Sequence, residues 1–210
     1  MKLYTSAPSP FVRKVMVAAH ELGLASQITA VPAVLSPIAP DATVSSKNPL
    51  GKIPTLELDD GTVIYDSRVI CEYFDTLHGE RKLVPENGAA RFACLRVEAL
   101  ADGILDAGIL IRYETFLRPE PLRWAAWVQG QCDKVLAAVG ALENERASFG
   151  RDIDLGQIAT ACALGWLDFR KPLESDPRGA PDLRARAPRL YEWYEHARKR
   201  PSFAATEPVA

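Results

Sequence analysis

The pattern of apolar residues changes near residue 80, and this change constrains the fold more than any other feature of the chain. Before it, short β-type runs alternate with helical ones in the order β-α-β, loop, β-β-α. After it, from Arg91 onwards, the periodicity is helical almost throughout. The sequence therefore predicts a chain that is α/β plus all-α. The predicted parts are an α/β domain over 1–78, a polar linker from His78 to Gly88 that includes Gly79, and an all-helical domain over 88–210.

The first part carries clear local signals for its elements. A hairpin is predicted around Asp59-Asp60-Gly61, because glycine tolerates the positive φ that a tight turn requires. Gly23 is expected to end the first helix. The predicted strands are Leu3–Thr5, Ile28–Val34, Thr55–Leu58 and Thr62–Tyr65, the helices are Pro10–Leu22 and Asp66–Leu77, and a loop runs from Leu35 to Asn48.

The second part is predicted to consist of amphipathic helices. One spans Arg91 to Leu117 and stops at Pro119. The next restarts at Glu120-Pro121 and is expected to bury Trp124, Trp127, Val128, Val135, Leu136, Val139 and Leu142. A capping box from Asp154 to Gln157 opens a nearly all-apolar central helix, Leu155 to Phe169. A final helix carries Leu190, Trp193, Tyr194 and Ala197.

Charge and hydropathy exclude several classes of partner. The chain has 25 basic and 27 acidic residues, a formal net charge of −2, which does not suit nucleic acid as the main partner. The basic stretch Arg184–Arg200 is interpreted as the solvated face of the last helix. No run of about 18 apolar residues exists, so no membrane helix is expected. Without an N-terminal signal segment, a cytoplasmic location is the expectation.

Cysteine and histidine do not suggest a metal site. The four cysteines form no C-x-x-C pair, and they are interpreted as buried small apolar residues. The histidines lie far apart in the sequence and do not cluster with cysteine. We therefore expect no metal. These residues are Cys71, Cys94, Cys132, Cys162, His20, His78 and His196.

The common catalytic motifs for dinucleotides, phosphates, serine hydrolysis and zinc are absent. Between the first strand and the first helix, Ser9 precedes Pro10, as expected for an N-cap followed by proline at the first helical position. A hydroxyl there lies beside unpaired N–H groups and the positive end of the helix dipole, a setting that stabilises a thiolate or another anion. A plain capping serine explains the same pattern.

Three further segments stand out. In Asn48-Pro49-Leu50-Gly51-Lys52-Ile53-Pro54, a proline opening a strand is either trans or cis, and the cis form would turn the backbone of Ile53 outward to pair with an extended ligand. Asp66 and Ser67 suit a helix cap, and they also offer an acceptor for an ammonium group and a donor for a carboxylate. Arg200-Pro-Ser-Phe203 shows no obvious chemistry.

Together these segments resemble the glutathione transferase superfamily along essentially the whole chain. The resemblance is carried by Ser9-Pro-Phe-Val-Arg-Lys-Val15, Asn48-Pro-x-Gly-x-Ile-Pro54, Asp66-Ser67 and Arg200-Pro-Ser-Phe203. It implies a thioredoxin-like N-terminal domain followed by an all-helical C-terminal domain. The Ser-Pro-Phe arrangement is most similar to the serine-type members, including tau-class and many bacterial enzymes. The N-terminal cysteine of omega- and beta-type enzymes and the Ser-Ser-Cys signature of zeta-type isomerases are both missing.

The resemblance implies a role for each matching residue. Ser9 donates a hydrogen bond to the sulfur of glutathione, the co-substrate. Lys52 faces the glycine carboxylate, and Ile53, ahead of a cis Pro54, pairs its backbone with the cysteinyl part. Asp66 and Ser67 hold the γ-glutamyl group. Ser6 is the competing hydroxyl, and Ser9 is preferred because it carries the Pro-Phe and Arg-Lys-Val context.

Two positions depart from the family pattern. Gln157 stands where the capping box of the central helix usually ends in Asp, but glutamine also reaches back to the cap. Asp66 stands where many relatives have Glu, which is one methylene longer. The first departure leaves the fold unaffected, and the second changes the geometry of the contact with glutathione.

The implied activity is conjugation of the glutathione thiolate to a small hydrophobic electrophile, as in a detoxification enzyme. Glutathione-dependent peroxide reduction, ether cleavage, and a non-catalytic regulator resembling the stringent starvation protein A group are the alternatives. A homodimer is expected, with Arg68 as an interface charge. The electrophile pocket is expected between the domains, although core packing also explains most of its residues. The candidates are Ala7, Phe11, Ile109, Arg112, Tyr113 and Phe116, with Trp166 and Phe169 further along.

Overall fold

The structure, a computed structural model, describes residues 1–34, 36–77, 82–150 and 152–208. Leu35 of the predicted loop, His78 and Gly79 of the predicted linker, and the last two residues of the predicted second domain lie outside the described residues. The chain forms two units. The first holds Met1–Glu86 together with the segment from Arg200 onwards, and the second holds Asn87–Lys199. The domain limits 1–78 and 88–210 stay a prediction.

A four-stranded mixed sheet organises the first unit, as the thioredoxin-like expectation requires. The strand order is β2-β1-β3-β4, with β1 parallel to β2 and antiparallel to β3, and with β3 antiparallel to β4. The predicted hairpin is confirmed, with Gly61 at φ +86° in its turn. The strands are β1 (Lys2–Thr5), β2 (Thr29–Pro32), β3 (Thr55–Glu57) and β4 (Val63–Ile64).

The helices of the first unit include one that the sequence analysis treated as loop. Helices α1 (Pro10–Glu21) and α3 (Ser67–Thr76) appear where they were predicted and pack against each other. Helix α2 (Ala42–Lys47) lies within the predicted loop, so that part of the prediction is wrong. Asp41 caps it by accepting hydrogen bonds from two backbone N–H groups. Val44 of α2 is fully buried in a cluster with Tyr4 and Ala33. This tertiary burial stabilises a helix that is too short to form alone.

The Arg200-Pro-Ser-Phe203 segment closes the first unit. It forms helix α9 (Pro201–Ala204), which packs on α1. The guanidinium of Arg200 binds both carboxylate oxygens of Glu21 at 2.9 and 2.8 Å, and the hydroxyl of Ser202 donates to the same carboxylate at 2.6 Å. Phe203 is fully buried. The segment that showed no chemistry in the sequence therefore has a structural function, since it fixes the C-terminal residues to α1.

The second unit contains helices and connecting loops but no strand among its described residues. The α-helical part of the first long helix ends at Arg112 rather than at Leu117, because Tyr113–Leu117 winds into a wider π-helical turn in which Arg118 N–H bonds the carbonyl of Tyr113 at 3.1 Å. The helices are α4 (Gly88–Arg112), α5 (Ala125–Glu145), α6 (Leu155–Arg170), α7 (Leu183–Arg186) and α8 (Pro188–Ala197).

The predicted buried face of α5 is correct from Val128 onwards, except that Leu136 is only half-buried. Trp124 and Trp127 are 64% and 41% exposed, so their prediction as buried is wrong. The helix begins at Ala125, which leaves Trp124 outside it as the N-cap residue. The buried stripe runs from Val128 at three- and four-residue steps, and Trp127 lies beside that stripe. The members of the stripe are Val128, Cys132, Val135, Val139 and Leu142.

Helix α6 lies at the centre of the second unit, as predicted. Every residue from Leu155 to Leu167 is buried, and α4 packs against both α6 and α5. The N-cap of α6 is formed by Asp154, which accepts the backbone N–H of Gln157 at 2.8 Å. All four cysteines lie within the described residues, where they are buried and form no disulfide bond. Burial raises the pKa of Cys94 to about 12, which keeps this thiol protonated and unreactive at neutral pH.

Candidate functional site

The first candidate, Ser9, caps helix α1. Its backbone is extended, Pro10 is the first helical residue, and its Oγ accepts the backbone N–H of Val12 at 3.3 Å. A hydroxyl accepts and donates at once, and the Ser9 proton meets no acceptor among the described residues. The half-buried hydroxyl therefore keeps one donor, at the positive end of a twelve-residue helix dipole.

The competing hydroxyl, Ser6, has a different position. It lies between β1 and α1, and its carbonyl accepts the N–H of Ser9 at 2.9 Å. This turn places Ser9, and not Ser6, at the helix terminus. Both side chains are half-buried. Of the two hydroxyls, only that of Ser9 lies at the cap of α1.

The turn before β3 holds the second group of candidates. The Ile53–Pro54 peptide bond is cis, the form that the family resemblance implies. Neither the N–H nor the carbonyl of Ile53 has a hydrogen-bond partner within the described ranges. Ile53 is half-buried, and it packs against the cluster of Tyr4, Ala33 and Val44. Its backbone polar groups are therefore free to pair with a ligand.

Two buried polar residues hold this turn in shape. The side-chain amide of Asn48 donates to the carbonyl of Lys52 at 3.0 Å and to the hydroxyl of Thr55 at 3.1 Å. That hydroxyl donates to the same Lys52 carbonyl at 2.8 Å. The sequence analysis quoted Asn48 in its motif and gave it no role. Its role follows from burial, because a polar side chain that is only 1% exposed must find hydrogen-bond partners, and this burial is visible only in the structure.

Lys52 presents the positive charge of this turn. Its side chain is exposed, and no carboxylate lies within 4.0 Å of its ammonium in the part of the chain that the structure describes. Nearby lysine Lys47, by contrast, pairs with Glu57 at 3.1 Å. The Lys52 ammonium is therefore available for a carboxylate from outside the chain.

The third group lies at the start of α3. Asp66 is the N-cap, and its Oδ1 accepts the backbone N–H of Arg68 at 3.1 Å and the hydroxyl of Ser67 at 3.0 Å. The single hydroxyl proton of Ser67 is thus committed to Asp66. The backbone N–H of Ser67, in the first turn of α3, has no partner among the residues described. A ligand carboxylate therefore finds a backbone donor there, beside a carboxylate suited to an ammonium group.

The electrostatics favour the ionised form of Asp66. Burial raises the pKa of this carboxyl, but the hydrogen bonds from Arg68 and Ser67 outweigh burial and bring the pKa below its ordinary value. The positive charge of Lys14, on α1, lowers the pKa of Asp66 further. At neutral pH the site therefore offers a carboxylate at α3, a cation at Lys52 and a hydroxyl donor at α1.

The predicted electrophile contacts fall in both units. In the first, Ala7 is exposed and Phe11 is half-buried. In the second, Tyr113 and Phe116 are 39% and 69% exposed, so core packing does not account for them. Arg112 is half-buried and stacks 4.7 Å from the centre of the Phe116 ring. Of the further candidates, Trp166 is only 4% exposed and belongs to the core of the helical unit, while Ile109 and Phe169 are half-buried.

The described ranges hold no group of three or more His, Cys, Asp or Glu side chains placed to bind a metal ion. None of the helices described there is long and apolar enough to cross a membrane.

Comparison with known protein families gives two matches. Residues 8–77 match the family described as glutathione S-transferase, N-terminal domain. Residues 125–196 match the family described as glutathione S-transferase, C-terminal domain. The Ser9, Ile53 and Asp66 segments all fall inside the first match.

Individual relatives match over nearly their full length. The uncharacterized GST-like protein YibF of Escherichia coli K12 is 33% identical over 99% of this chain and 98% of its own. A glutathione transferase family member from Pseudomonas fluorescens Pf-5, solved with bound glutathione, is 45% identical with a TM-score of 0.93, over 100% of this chain and 99% of that one. A structure from the same organism with bound S-(propanoic acid)-glutathione is 43% identical with a TM-score of 0.89, over 100% of both chains.

Proposed function

The chain belongs to the glutathione transferase superfamily, and on that premise we propose that it conjugates the thiolate of glutathione to a small hydrophobic electrophile. In the reaction a carbon–sulfur bond forms to the electrophile, while its leaving group departs or its double bond accepts a proton. The observation that carries the proposal is the Ser9 hydroxyl, which caps α1 and keeps a proton to donate. Such a donor at a helix N-terminus stabilises a bound anion, and a thiolate is an anion of this kind.

The physical task of Ser9 is to favour the anionic form of the thiol. A free thiol has a pKa of about 8.5, so it is mostly protonated at neutral pH, and only the thiolate attacks electrophiles efficiently. A charge-assisted hydrogen bond is worth about 1.5–3 kcal/mol, and the helix terminus adds to it. Together they are expected to lower the pKa of the bound thiol by about 1–2 units.

The remaining polar groups match the other parts of glutathione. The exposed ammonium of Lys52 suits the glycine carboxylate, and the unpaired backbone of Ile53, ahead of Pro54, suits the cysteinyl peptide group. The ionised carboxylate of Asp66 suits the γ-glutamyl ammonium, and Ser67 offers its backbone N–H to the γ-glutamyl carboxylate. Each assignment pairs opposite charges or a donor with an acceptor.

Known structures of relatives support both the ligand and the type of product. The Pseudomonas fluorescens relative binds glutathione, and the structure with S-(propanoic acid)-glutathione holds a glutathione substituted at sulfur. Conjugation yields compounds of this S-substituted type.

We further propose the residues that contact the electrophile. They are Ala7 and Phe11 in the first unit and Arg112, Tyr113 and Phe116 in the second.

The test is a pH titration of the absorbance of glutathione thiolate in the presence of excess protein. We expect a midpoint about 1–2 units below that of free glutathione. An unchanged midpoint despite demonstrated binding would contradict thiolate activation and favour a carrier or a regulator. Absence of binding would contradict the proposed co-substrate altogether.

A further inference from the structure

A positively charged cleft of about 460 Å³ lies in the helical unit. It is formed by the end of α4 with its π-helical turn, and by the end of α6 with the turn that follows it. Its charged lining consists of four cations and one carboxylate, a net charge of +3, in a chain whose overall net charge is −2. These groups are Arg112, Arg123, Arg170, Lys171 and Glu174.

The two acids in or near this cleft already have partners of their own. Glu174 lies 3.5 Å from the ammonium of Lys171. Glu114, in the π-helical turn, binds the guanidinium of Arg118 at 2.7 Å and the backbone N–H of Trp124 at 2.8 Å. Neither carboxylate therefore pairs with Arg112 or Arg170, whereas the positive charge of Arg123 helps to lower the pKa of Glu114.

Arg112 and Arg170 lack an ionic partner in the described structure. Among the described residues, no carboxylate oxygen lies closer than 4.0 Å to the guanidinium nitrogens of Arg112, Arg123 or Arg170. Arg170 is half-buried, and both its burial and the positive charge of Arg112 lower its pKa. Two guanidinium groups therefore repel each other in a cleft whose one carboxylate pairs with Lys171, and a bound anion would offset that repulsion.

Aromatic rings hold these two guanidinium groups in place. Arg112 lies 4.7 Å from the centre of the Phe116 ring, and Arg170 lies 4.4 Å from that of Phe169. A guanidinium that stacks on a ring still has its N–H donors along the edge of its plane. Each guanidinium thus stacks on a ring, and its N–H donors meet no acceptor among the described residues, which is the arrangement that recognises a planar carboxylate through paired hydrogen bonds.

We propose that this cleft binds the carboxylate of a small organic acid, with Arg112 and Arg170 as the binding residues. Phe116, 69% exposed at the cleft, contacts the apolar part of the same molecule. The assignment of an acid to this cleft stands on its own. The identification of that acid as an electrophile that the enzyme conjugates rests on the proposed function.

The experiment is a ¹⁹F NMR titration of the full-length protein with 4-fluorobenzoate and with 4-fluorobenzamide, its neutral isostere, in the absence of glutathione. We expect the acid to bind about tenfold or more tightly than the amide. Arg112→Gln and Arg170→Gln should each remove most of this preference. Arg186→Gln, an exposed arginine on α7 outside the cleft, is the matched control and should retain it.

Three outcomes would overturn the proposal. They are equal binding of acid and amide, an acid preference that survives both cleft substitutions, and tighter binding of 4-fluorophenyl phosphate, which would make the ligand a phosphate ester. Because the titration contains no glutathione, its failure is distinguishable from failure of the proposed function, which the thiolate titration detects by itself.

A kinetic comparison then tests the electrophile. Glutathione adds through its sulfur to the β-carbon of acrylate or acrylamide, the carbon–carbon double bond becomes single, and the α-carbon takes a proton from solvent. Relative to the uncatalysed rates, we expect kcat/KM to favour acrylate over acrylamide, and Arg112→Gln to reduce this preference. Catalysis of acrylamide addition with no such preference would contradict the electrophile assignment.

Discussion

At the scale of single residues, the candidate site depends on helix caps that retain a hydrogen-bonding function. Ser9 and Asp66 each accept a backbone N–H at the start of a helix, and each has capacity left for a ligand. Capping explains why these residue types occur there, but capping alone does not require the free donor of Ser9. The two roles are separable because different substitutions affect them differently.

The first prediction separates the cap from the chemistry at Ser9. Ser9→Ala is expected to cost about 1 kcal/mol of unfolding free energy, whereas Ser9→Gly costs only a few tenths, since glycine is a tolerated N-cap. Both variants lose the hydroxyl, so both should lower kcat/KM by about ten- to a hundredfold. Urea denaturation and steady-state kinetics measure the two effects.

Ser6→Ala provides the matched control for a hydroxyl near the cap. It should leave kcat/KM unchanged, because Ser6 lies before the helix terminus. Full activity in Ser9→Gly, with an unaltered pH dependence, would show that Ser9 only caps α1.

The second prediction concerns the ionisation of Asp66. Its pKa is lowered in the folded protein, so ionisation contributes stability above the ordinary pKa of 3.8, and that contribution is lost as the pH falls through the lower, folded value. Ser67→Ala removes one of the hydrogen bonds that lower this pKa, so the pKa should rise. The pH dependence of the Asp66 carboxyl ¹³C shift measures it.

Ser46→Ala is the control for this measurement. The hydroxyl of Ser46 donates to the carbonyl of Thr43, so its removal should leave the titration of Asp66 unchanged. A midpoint for wild-type Asp66 at or above the ordinary aspartate value would contradict the prediction.

At the scale of elements, the helical unit depends on the close approach of α4 and α6. A Cβ atom added at Gly156 would lie 2.7 Å from the carbonyl oxygen of Cys94 and 2.9 Å from the Cβ of Val97. Since one of these neighbours is backbone, a side-chain rotation cannot relieve the contact. Glycine at the start of α6 is therefore a packing requirement and not a matter of helix propensity.

The third prediction compares two glycines inside helices. Gly156→Ala is expected to lower the unfolding free energy by about 1–3 kcal/mol through overpacking. Gly140→Ala, on α5, meets nothing within 4 Å and should raise it by about 0.5–1 kcal/mol, because alanine loses less backbone entropy on folding. Denaturant unfolding of both variants tests this. A neutral Gly156→Ala would show that α4 and α6 separate at little cost.

At the scale of the whole molecule, we propose that two copies of the chain form a homodimer. The family resemblance implies a homodimer, and Arg68, exposed at the start of α3, is the proposed interface charge. With a chain mass of 23.0 kDa, sedimentation should give a species of about 46 kDa, twice that mass. Arg68→Glu should shift the distribution towards monomer. A single 23.0 kDa species for the unaltered protein would contradict the dimer.

The sequence alone determined the features whose causes are local. Hydrogen bonds and φ preferences over a few residues determine the helix caps and the hairpin. These features, at Ser9, Asp66, Asp154 and Gly61, can therefore be predicted without knowledge of the fold. The switch from mixed to helical periodicity predicted the α/β and all-α organisation for the same reason. Three of the six glutathione-binding candidates, Ser9, Asp66 and Ser67, lie at these helix caps, and their motifs helped to carry the family resemblance.

Only the tertiary structure decided the features that join distant segments. The pairing of Glu21 with Arg200, the formation of α2 around buried Val44, and the meeting of Arg112 with Arg170 require parts of the chain far apart in sequence. Local patterns carry no information about such contacts, because burial and charge pairing depend on which surfaces the fold brings together. A periodic sequence thus revealed that helices form, and the packed structure revealed which of their side chains remain free to bind a ligand.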